Sequence, residues 1–376
     1  MGMVPVRRAL VVGGSVAGMS AAISLARTGI AVDLVERDAE WGVTGAGITI
    51  TRPSLRAFAR LGILARLRDE GHLHEGVLVH DAQGRYLQQV VSPPLVDADV
   101  PGAGGILRPV LHRILADTTR AAGVAVRTGL TVSTLAQDPE GVDLRFADGS
   151  SGRYDMVVGA DGLFSQMRGL LFPDASTPRF TGQACWRLML PRPQSVSQRH
   201  FFLGGPVKVG LTPVSKDEMY LFLLEHVPHN PWREPDTQYR LLARLLEGYG
   251  GVLADVRASL APDSRIVYRP LEAHLLRHDW HAGRVLLLGD AAHATTPQLA
   301  SGAGMAAEDG LVLADELQRR DTLAQAFAGF MGRRYPRCRL VVENSLRIGE
   351  LEVAAAPPHE QAAAVAQSLE VLARPI

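Results

Sequence analysis

"ALVVGGSVAGMSAAISLARTGIAVDLVER", residues 9–37, ends one strand, opens a helix and closes a second strand on an acid. The apolar run within 7–14 predicts a buried strand, and small and apolar residues then recur at helical spacing over about 15–28, with Gly29 as a C-terminal cap. "AVDLVE" supplies the second strand. A unit of this kind cradles a dinucleotide, and G-x-G-x-x-G is realised here as Gly13, Ser15 and Gly18. Gly13 permits the tight turn, Gly18 lets helix and strand approach, and the helix start at Val16 and Ala17 offers free N–H groups to a pyrophosphate. Ser15 departs from the pattern, so its side chain either turns away from the phosphate or gives it a hydroxyl hydrogen bond. Glu36, followed by Arg37, closes the second strand, where a carboxylate accepts from ribose hydroxyls and repels a 2'-phosphate. That disfavours NADP at this site. Taken alone, the imperfect glycine pattern also fits a generic nucleotide-fold turn.

The chain-level numbers narrow the partners. With 376 residues, 47% hydrophobic, the chain can bury a large core divided over two or three units. Lys plus Arg (39) equals Asp plus Glu (39), so no general field draws it to nucleic acid or to an acidic membrane. Cys185 and Cys338 lie far apart with no metal-type spacing, which suits reduced core residues and argues against structural zinc. No apolar run reaches about 18 residues and no signal-type segment precedes the first strand. A soluble cytoplasmic protein, monomer or homodimer, with no nucleic-acid, membrane or metal partner is the expectation.

Period changes along the chain suggest interleaved domains. Residues 54–71 have helical spacing and stop at glycine, whereas 77–91 alternate around a glycine turn like a hairpin. A helix after Pro109, meandering strands with DPEG and DGS turns, and the buried strand of "YDMVVGADG" return to the nucleotide domain. From about 180 to 269, short alternating strands with one helix predict a mostly antiparallel sheet. The reading is an α/β chain: a Rossmann-like domain over 1–75, 101–178 and 271–376, the last ending in helices, interleaved with a substrate domain made of a hairpin at 76–100 and a sheet at 179–270.

Two later stretches carry more specific information. "DMVVGADGLFSQMR" (155–168) combines a strand, Gly-Ala-Asp-Gly, and Ser and Arg three residues apart. "GRVLLLGDAAHATTPQLASGAGMAAED" (283–309) combines a strand, Gly-Asp, Ala-Ala-His, a proline, a glycine-rich turn and Glu-Asp. In this order the three motifs resemble the single-component FAD-dependent aromatic hydroxylases of the para-hydroxybenzoate and salicylate hydroxylase type, over about residues 7–345. The chemistry of the third motif agrees. An acid ending a buried strand, Asp290, can accept from a polyhydroxyl chain such as ribitol, although the same residue also suits a helix N-cap. The helix begun by Gly302, Ala303 and Gly304 can present N–H groups to a flavin carbonyl. FAD, with its adenine ribose on Glu36 and its ribityl chain on Asp290, is therefore the expected resident cofactor.

The resemblance implies further positions. Arg108 is expected to reach the flavin side of the cofactor, Asp161 the pyrophosphate and ribose, and Arg168 a phosphate; Gly289 and Met305 complete the third motif. It also implies a cycle in which NAD(P)H, a transient co-substrate, reduces FAD, O2 adds at C4a, and the distal oxygen of this hydroperoxyflavin passes to an electron-rich ring. Pro297 sits in the loop facing flavin and substrate, where its carbonyl can meet the transferring hydroxyl or the ring can simply shape the turn. Alternation places Cys185, Arg187 and Met189 on one sheet face and Tyr220, Phe222 and Leu224 together on another strand. Arg187 can bind a substrate carboxylate and Tyr220 a phenol, against core packing or an internal acid partner. Some family members carry a histidine base after Gly-Ala-Gly-Ile; here that place is Thr49, leaving Tyr220, His72 or no base. The leading function is hydroxylation of an aromatic or polycyclic molecule. A FAD oxidoreductase or halogenase without oxygen insertion and a non-enzymatic flavin sensor are the alternatives.

Overall fold

The computed structural model describes residues 6–376. Near-continuous apolar runs build a six-stranded sheet in the order His281–Ala282, Val285–Leu287, Met156–Gly159, Arg8–Val12, Ala31–Glu36, Ala125–Thr128. All pairs are parallel except the first. Consecutive residues such as Leu10 and Val11, or Val157 and Val158, are both fully buried, so the sheet is covered on both faces. Across it, the helix of the first motif, Val16–Ala26, packs on the helix of the third, Gly302–Arg319. A Cβ on Gly310 would come within 2.5 Å of the Ala21 nitrogen, so glycine sets how closely they cross. Segments nearly 300 residues apart in the chain thereby pack side by side.

The alternating segments form a seven-stranded sheet in the order Ile266–Ala273, Arg179–Pro191, Glu218–His226, Lys208–Pro213, Arg199–Leu203, Gly76–Asp81, Tyr86–Val91. It is antiparallel except where Arg199–Leu203 runs parallel to Gly76–Asp81. One face carries Trp186, Leu188, Leu221 and Leu223 onto Leu242 and Leu253 of the helices Gln238–Leu245 and Val252–Ala258. A small sheet of Gly47–Thr51, Ala103–Leu107 and His72–His74 joins the two large ones. At Gly105 a Cβ would lie 2.1 Å from the Pro213 carbonyl, so backbone meets backbone there.

Two local expectations are corrected. The single helix over 54–71 is two, Arg52–Arg60 and Leu64–Glu70, because the chain turns at Gly62 with φ +75°. The one helix expected in the substrate sheet region is likewise followed by a second, after Gly251 at φ +58°. Among the described residues no helix is long and apolar enough to cross a membrane.

Candidate active site

The first motif folds around close backbone contacts. Gly13, at φ +106°, leaves no room for a Cβ beside the Ala160 carbonyl, and Gly18 rides against the Gly13 carbonyl. Ser15 caps its helix: its hydroxyl donates to the Ala160 carbonyl (3.0 Å) and accepts from Gly18 N–H (3.4 Å). The side chain is turned toward the second motif. Glu36 accepts from Gly14 N–H (2.6 Å) and Asp38 N–H (2.8 Å), which orients the carboxylate and leaves each oxygen with further acceptor capacity. Arg37 is exposed beside it.

The second motif is mainly a clasp. Asp161 accepts from the Ser165 hydroxyl (2.5 Å) and Met167 N–H (3.0 Å), closing the turn that Gly162 enters at φ +84°. Arg168 is buried and donates to the carbonyls of Ala291 and Leu163, both at 2.9 Å. This corrects the phosphate role expected of Arg168: its fork is already used to tie the second motif to the third.

In the third motif Gly289 takes φ +57° at the strand end, its N–H donates to Asp309 (2.9 Å), and Asp290 projects into open space with no protein hydrogen bond. Surrounding protein pushes the Asp290 carboxyl above the usual range, with His293 and Arg108 opposing. Burial alone would also raise the Asp309 carboxyl, but His293 and Arg334 hold it down. Pro297 opens a single 3-10 turn whose carbonyl accepts Ala300 N–H (3.0 Å), so part of its acceptor capacity is spent. Ala300 sits at φ +49°, a strained position for a residue with a Cβ, immediately before the helix at Gly302. Gly302 and Ala303 face the open side. Gly304 instead abuts the Ser54 hydroxyl, and Met305 is buried against Arg334 with its N–H given to the Ser301 carbonyl. The expected cofactor contact of Met305 is corrected, because its side chain is packed inside and its N–H is spent, whereas the Gly304 N–H belongs to the free first turn of the helix.

One cleft of about 410 Å3 joins these pieces. Ser15, Val16 and Ala17 line one end, Gly162, Asp290, Pro297, Gly302 and Ala303 its floor, and Arg108 and His112 a side. The opposite wall is the second face of the seven-stranded sheet. There Cys185 pairs with Leu224, Arg187 with Phe222 and Met189 with Tyr220 across adjacent strands, all on one face. All but Met189 line the cleft; Met189 supports Tyr220 and Phe222 from beside it. Thr49 reaches the same wall and hydrogen-bonds the Tyr220 hydroxyl (2.7 Å), with Thr212 at 3.3 Å. His72 is elsewhere: it meets the Ser197 carbonyl (2.8 Å) and lines a separate depression, which removes it as a base for this cleft.

A free-standing ADP moiety would be served by the glycine turn and helix start alone. Here the free N–H groups of two helix starts and an unpartnered carboxylate, Asp290, converge on one cleft, which fits a longer ligand that carries a pyrophosphate, a polyhydroxyl chain and a ring with carbonyl groups. FAD has these parts. A model of the FAD binding domain matches residues 7–322. The chain belongs to the FAD-dependent aromatic hydroxylases. Among its relatives, the 2-heptyl-3-hydroxy-4(1H)-quinolone synthase of Pseudomonas aeruginosa is 30% identical over 91% of this chain and 88% of the relative. The 3-amino-4-hydroxybenzoate 2-monooxygenase PtmB3 of Streptomyces platensis is 32% identical over 91% and 87%. The crystal structure of Klebsiella pneumoniae HpxO complexed with FAD and uric acid superposes with a TM-score of 0.84 at 25% identity, covering 98% of this chain and 93% of that one.

Sequence reasoning missed several residues of this hydroxylase cleft. Arg199 and Lys208 line the sheet wall, and Glu352 of the long helix Leu323–Val353 pairs with Lys208 and accepts from Gln183 and Gln298. Alternation within "RHFFL" places Arg199 and Phe201 on one face, but which face becomes the cleft depends on the neighbouring strand.

Proposed function

We propose that this FAD-dependent monooxygenase uses NAD(P)H and O2 to hydroxylate an aromatic or polycyclic small molecule. What carries the reading is the single cleft, with a dinucleotide site on one wall and an aromatic sheet face on the other. Bound FAD supplies the redox chemistry, accepting a hydride and activating O2 for transfer of one oxygen atom. The chain's own residues bind and orient. Glu36 accepts from the adenine ribose, the N–H groups of Val16 and Ala17 meet the pyrophosphate, and Asp290 accepts from the ribityl hydroxyls. The helix starting at Gly302 directs N–H groups and the positive end of its dipole at the flavin ring.

Phe222, Leu224 and Tyr220 give the substrate ring an apolar face and exclude water, which protects the activated oxygen. The Tyr220 hydroxyl, held by Thr49, stands where a ring hydroxyl can exchange a hydrogen bond with it; Pro297 and Ala300 shape the turn between flavin and substrate. The names of relatives, one that makes a hydroxyquinolone and others that act on an aminohydroxybenzoate and on urate, support a flat, electron-rich ring. NAD(P)H oxidation measured with and without a panel of such rings tests this. Stimulated oxidation with a product one oxygen atom heavier is the expected result. Stimulated oxidation without incorporated oxygen would transfer the chain to the oxidoreductases of the same fold.

A further inference from the structure

Glu352 stands where its own helix disfavours it. It lies in the last turn of Leu323–Val353, whose free carbonyls make that end negative, and its side chain is only 8% exposed. Lys208 offsets the charge by pairing with Oε1. The other oxygen, Oε2, accepts from Gln183 Nε2 (3.1 Å) and Gln298 Nε2 (3.3 Å). A carboxylate only accepts, so both amides must turn their NH2 groups toward it. Gln183 is then left with its oxygen, which takes the second Gln298 hydrogen at 2.9 Å. One buried carboxylate thereby fixes the orientation of two amides. A Cβ on Gly349, about one turn earlier, would come within 2.7 Å of the Gln183 oxygen, so the helix surface is cleared for them.

These groups come from separate elements. Lys208 opens a strand of the sheet wall, Gln183 follows Gly182 (φ +80°) in the irregular stretch of strand Arg179–Pro191, and Gln298 follows Pro297 in the 3-10 turn of the cleft floor. Lys208 and Gln298 line the cleft, and Glu352 stands behind them, so it joins floor to wall. The turn needs such a hold, because Ala300 is strained at φ +49° and Pro297 has no N–H to anchor it. Its position matters for the reaction. Each NAD(P)H brings two electrons and, with one proton, reduces O2: one oxygen atom enters a ring C–H bond and the other leaves as water, or both leave as hydrogen peroxide. The first outcome requires the ring to be held close to the activated oxygen, between floor and wall.

Resting on the monooxygenase reading for the reaction, we propose that Glu352 is a positioning residue. Through Gln298 it holds the Pro297 turn, and through Lys208 the sheet wall, at the separation that couples NAD(P)H oxidation to oxygen transfer. The test follows two quantities in the FAD-loaded protein: amide hydrogen exchange over residues 295–301, where Ala300 N–H is bonded to the Pro297 carbonyl, and the share of consumed NAD(P)H recovered as hydrogen peroxide with a ring that stimulates oxidation. In Glu352→Gln, exchange over 295–301 should rise by about tenfold or more, the worth of one hydrogen bond to a charged acceptor, while exchange over 9–37 and the flavin-to-protein ratio stay unchanged. The peroxide share should rise severalfold with little change in KM. Gln298→Met, which cuts only the link from turn to carboxylate, should show the same faster exchange, and the double variant no more than either. Glu343→Gln, a more exposed charge on the same helix, should show none. If Glu352→Gln does not fold, Gln298→Met decides. Unchanged exchange over 295–301 in Gln298→Met, an equal rise over 9–37 in Glu352→Gln, or faster exchange with an unchanged peroxide share would overturn it. Faster exchange at the turn in a protein whose parent transfers oxygen to no ring would leave Glu352 holding the turn and sink the monooxygenase reading instead.

Discussion

His293 Nε2 donates to Asp309 Oδ2 at 2.7 Å in the protein interior, and the same oxygen accepts the Gly289 N–H. A residue of the helix Gly302–Arg319 therefore fixes the strand end from which Asp290 projects. Arg334 holds the other Asp309 oxygen at 2.8 Å. Asp309→Asn keeps the shape but leaves Arg334 short of a charge and the Gly289 turn loosely held. Breaking a buried pair in this way destabilises by about 3–5 kcal/mol. Chemical denaturation and the flavin-to-protein ratio should both fall; an unchanged ratio would detach this network from cofactor binding.

Asp290 makes no hydrogen bond within the protein, so Asp290→Ala should leave the fold intact. FAD retention should weaken by roughly 1–3 kcal/mol, the worth of a hydrogen bond to a charged acceptor, or about 5- to 150-fold in Kd. Equilibrium dialysis of FAD against both proteins checks it, and equal Kd values would remove Asp290 from the ribityl site.

Tyr220→Phe removes a hydroxyl that Thr49 holds at 2.7 Å. Its stability should drop by about 1 kcal/mol. If the hydroxyl also meets the substrate, KM rises by about tenfold with FAD content unchanged. Thr49→Val, which frees the Tyr220 hydroxyl without deleting it, should lower kcat more than it raises KM. Steady-state kinetics on both variants separate positioning from contact, and unaltered kinetics in both would place the pair outside the reaction.

Stability should decline on the acid side in a window set by three histidines. Burial is the largest cause holding His74, His200 and His274 down to about 4, against an ordinary value of 6.5. Because the folded values lie below the unfolded one, their neutral forms cost nothing above pH 6.5, and stability is lost progressively as pH falls from about 6.5 to 4. Linkage assigns on the order of 1–3 kcal/mol to each. Urea midpoints taken from pH 8 to pH 4 should fall within that window and flatten above it; a midpoint constant down to pH 4.5 would contradict the assignment.

Local patterns carried much of this. Gly13, Gly18 and Glu36 were legible because a tight turn, a close approach and a strand-end acid each demand a residue type at a set spacing. Arg187 and Phe222 shared a face as alternation requires. Arg168 and Met305 misled, since a motif states which residues recur together but not which of them turn inward. Arg168 spends its donors on two carbonyls, and Met305 gives its N–H to Ser301 and packs against Arg334.

The sequence by itself determined the strand–helix–strand nucleotide unit, the presence of a second, alternating sheet and the family, because periods of 2 and 3.6 and short glycine spacings are local properties of the chain. Only the tertiary structure decided what the cleft is made of. Pairing partners, register and helix crossings join residues far apart in the chain, and their choice minimises buried unpaired polarity over the whole molecule. That is how Arg199, partly exposed on the cleft wall, came to lie over Phe222 without an acid of its own, while Arg334, in the interior, received two.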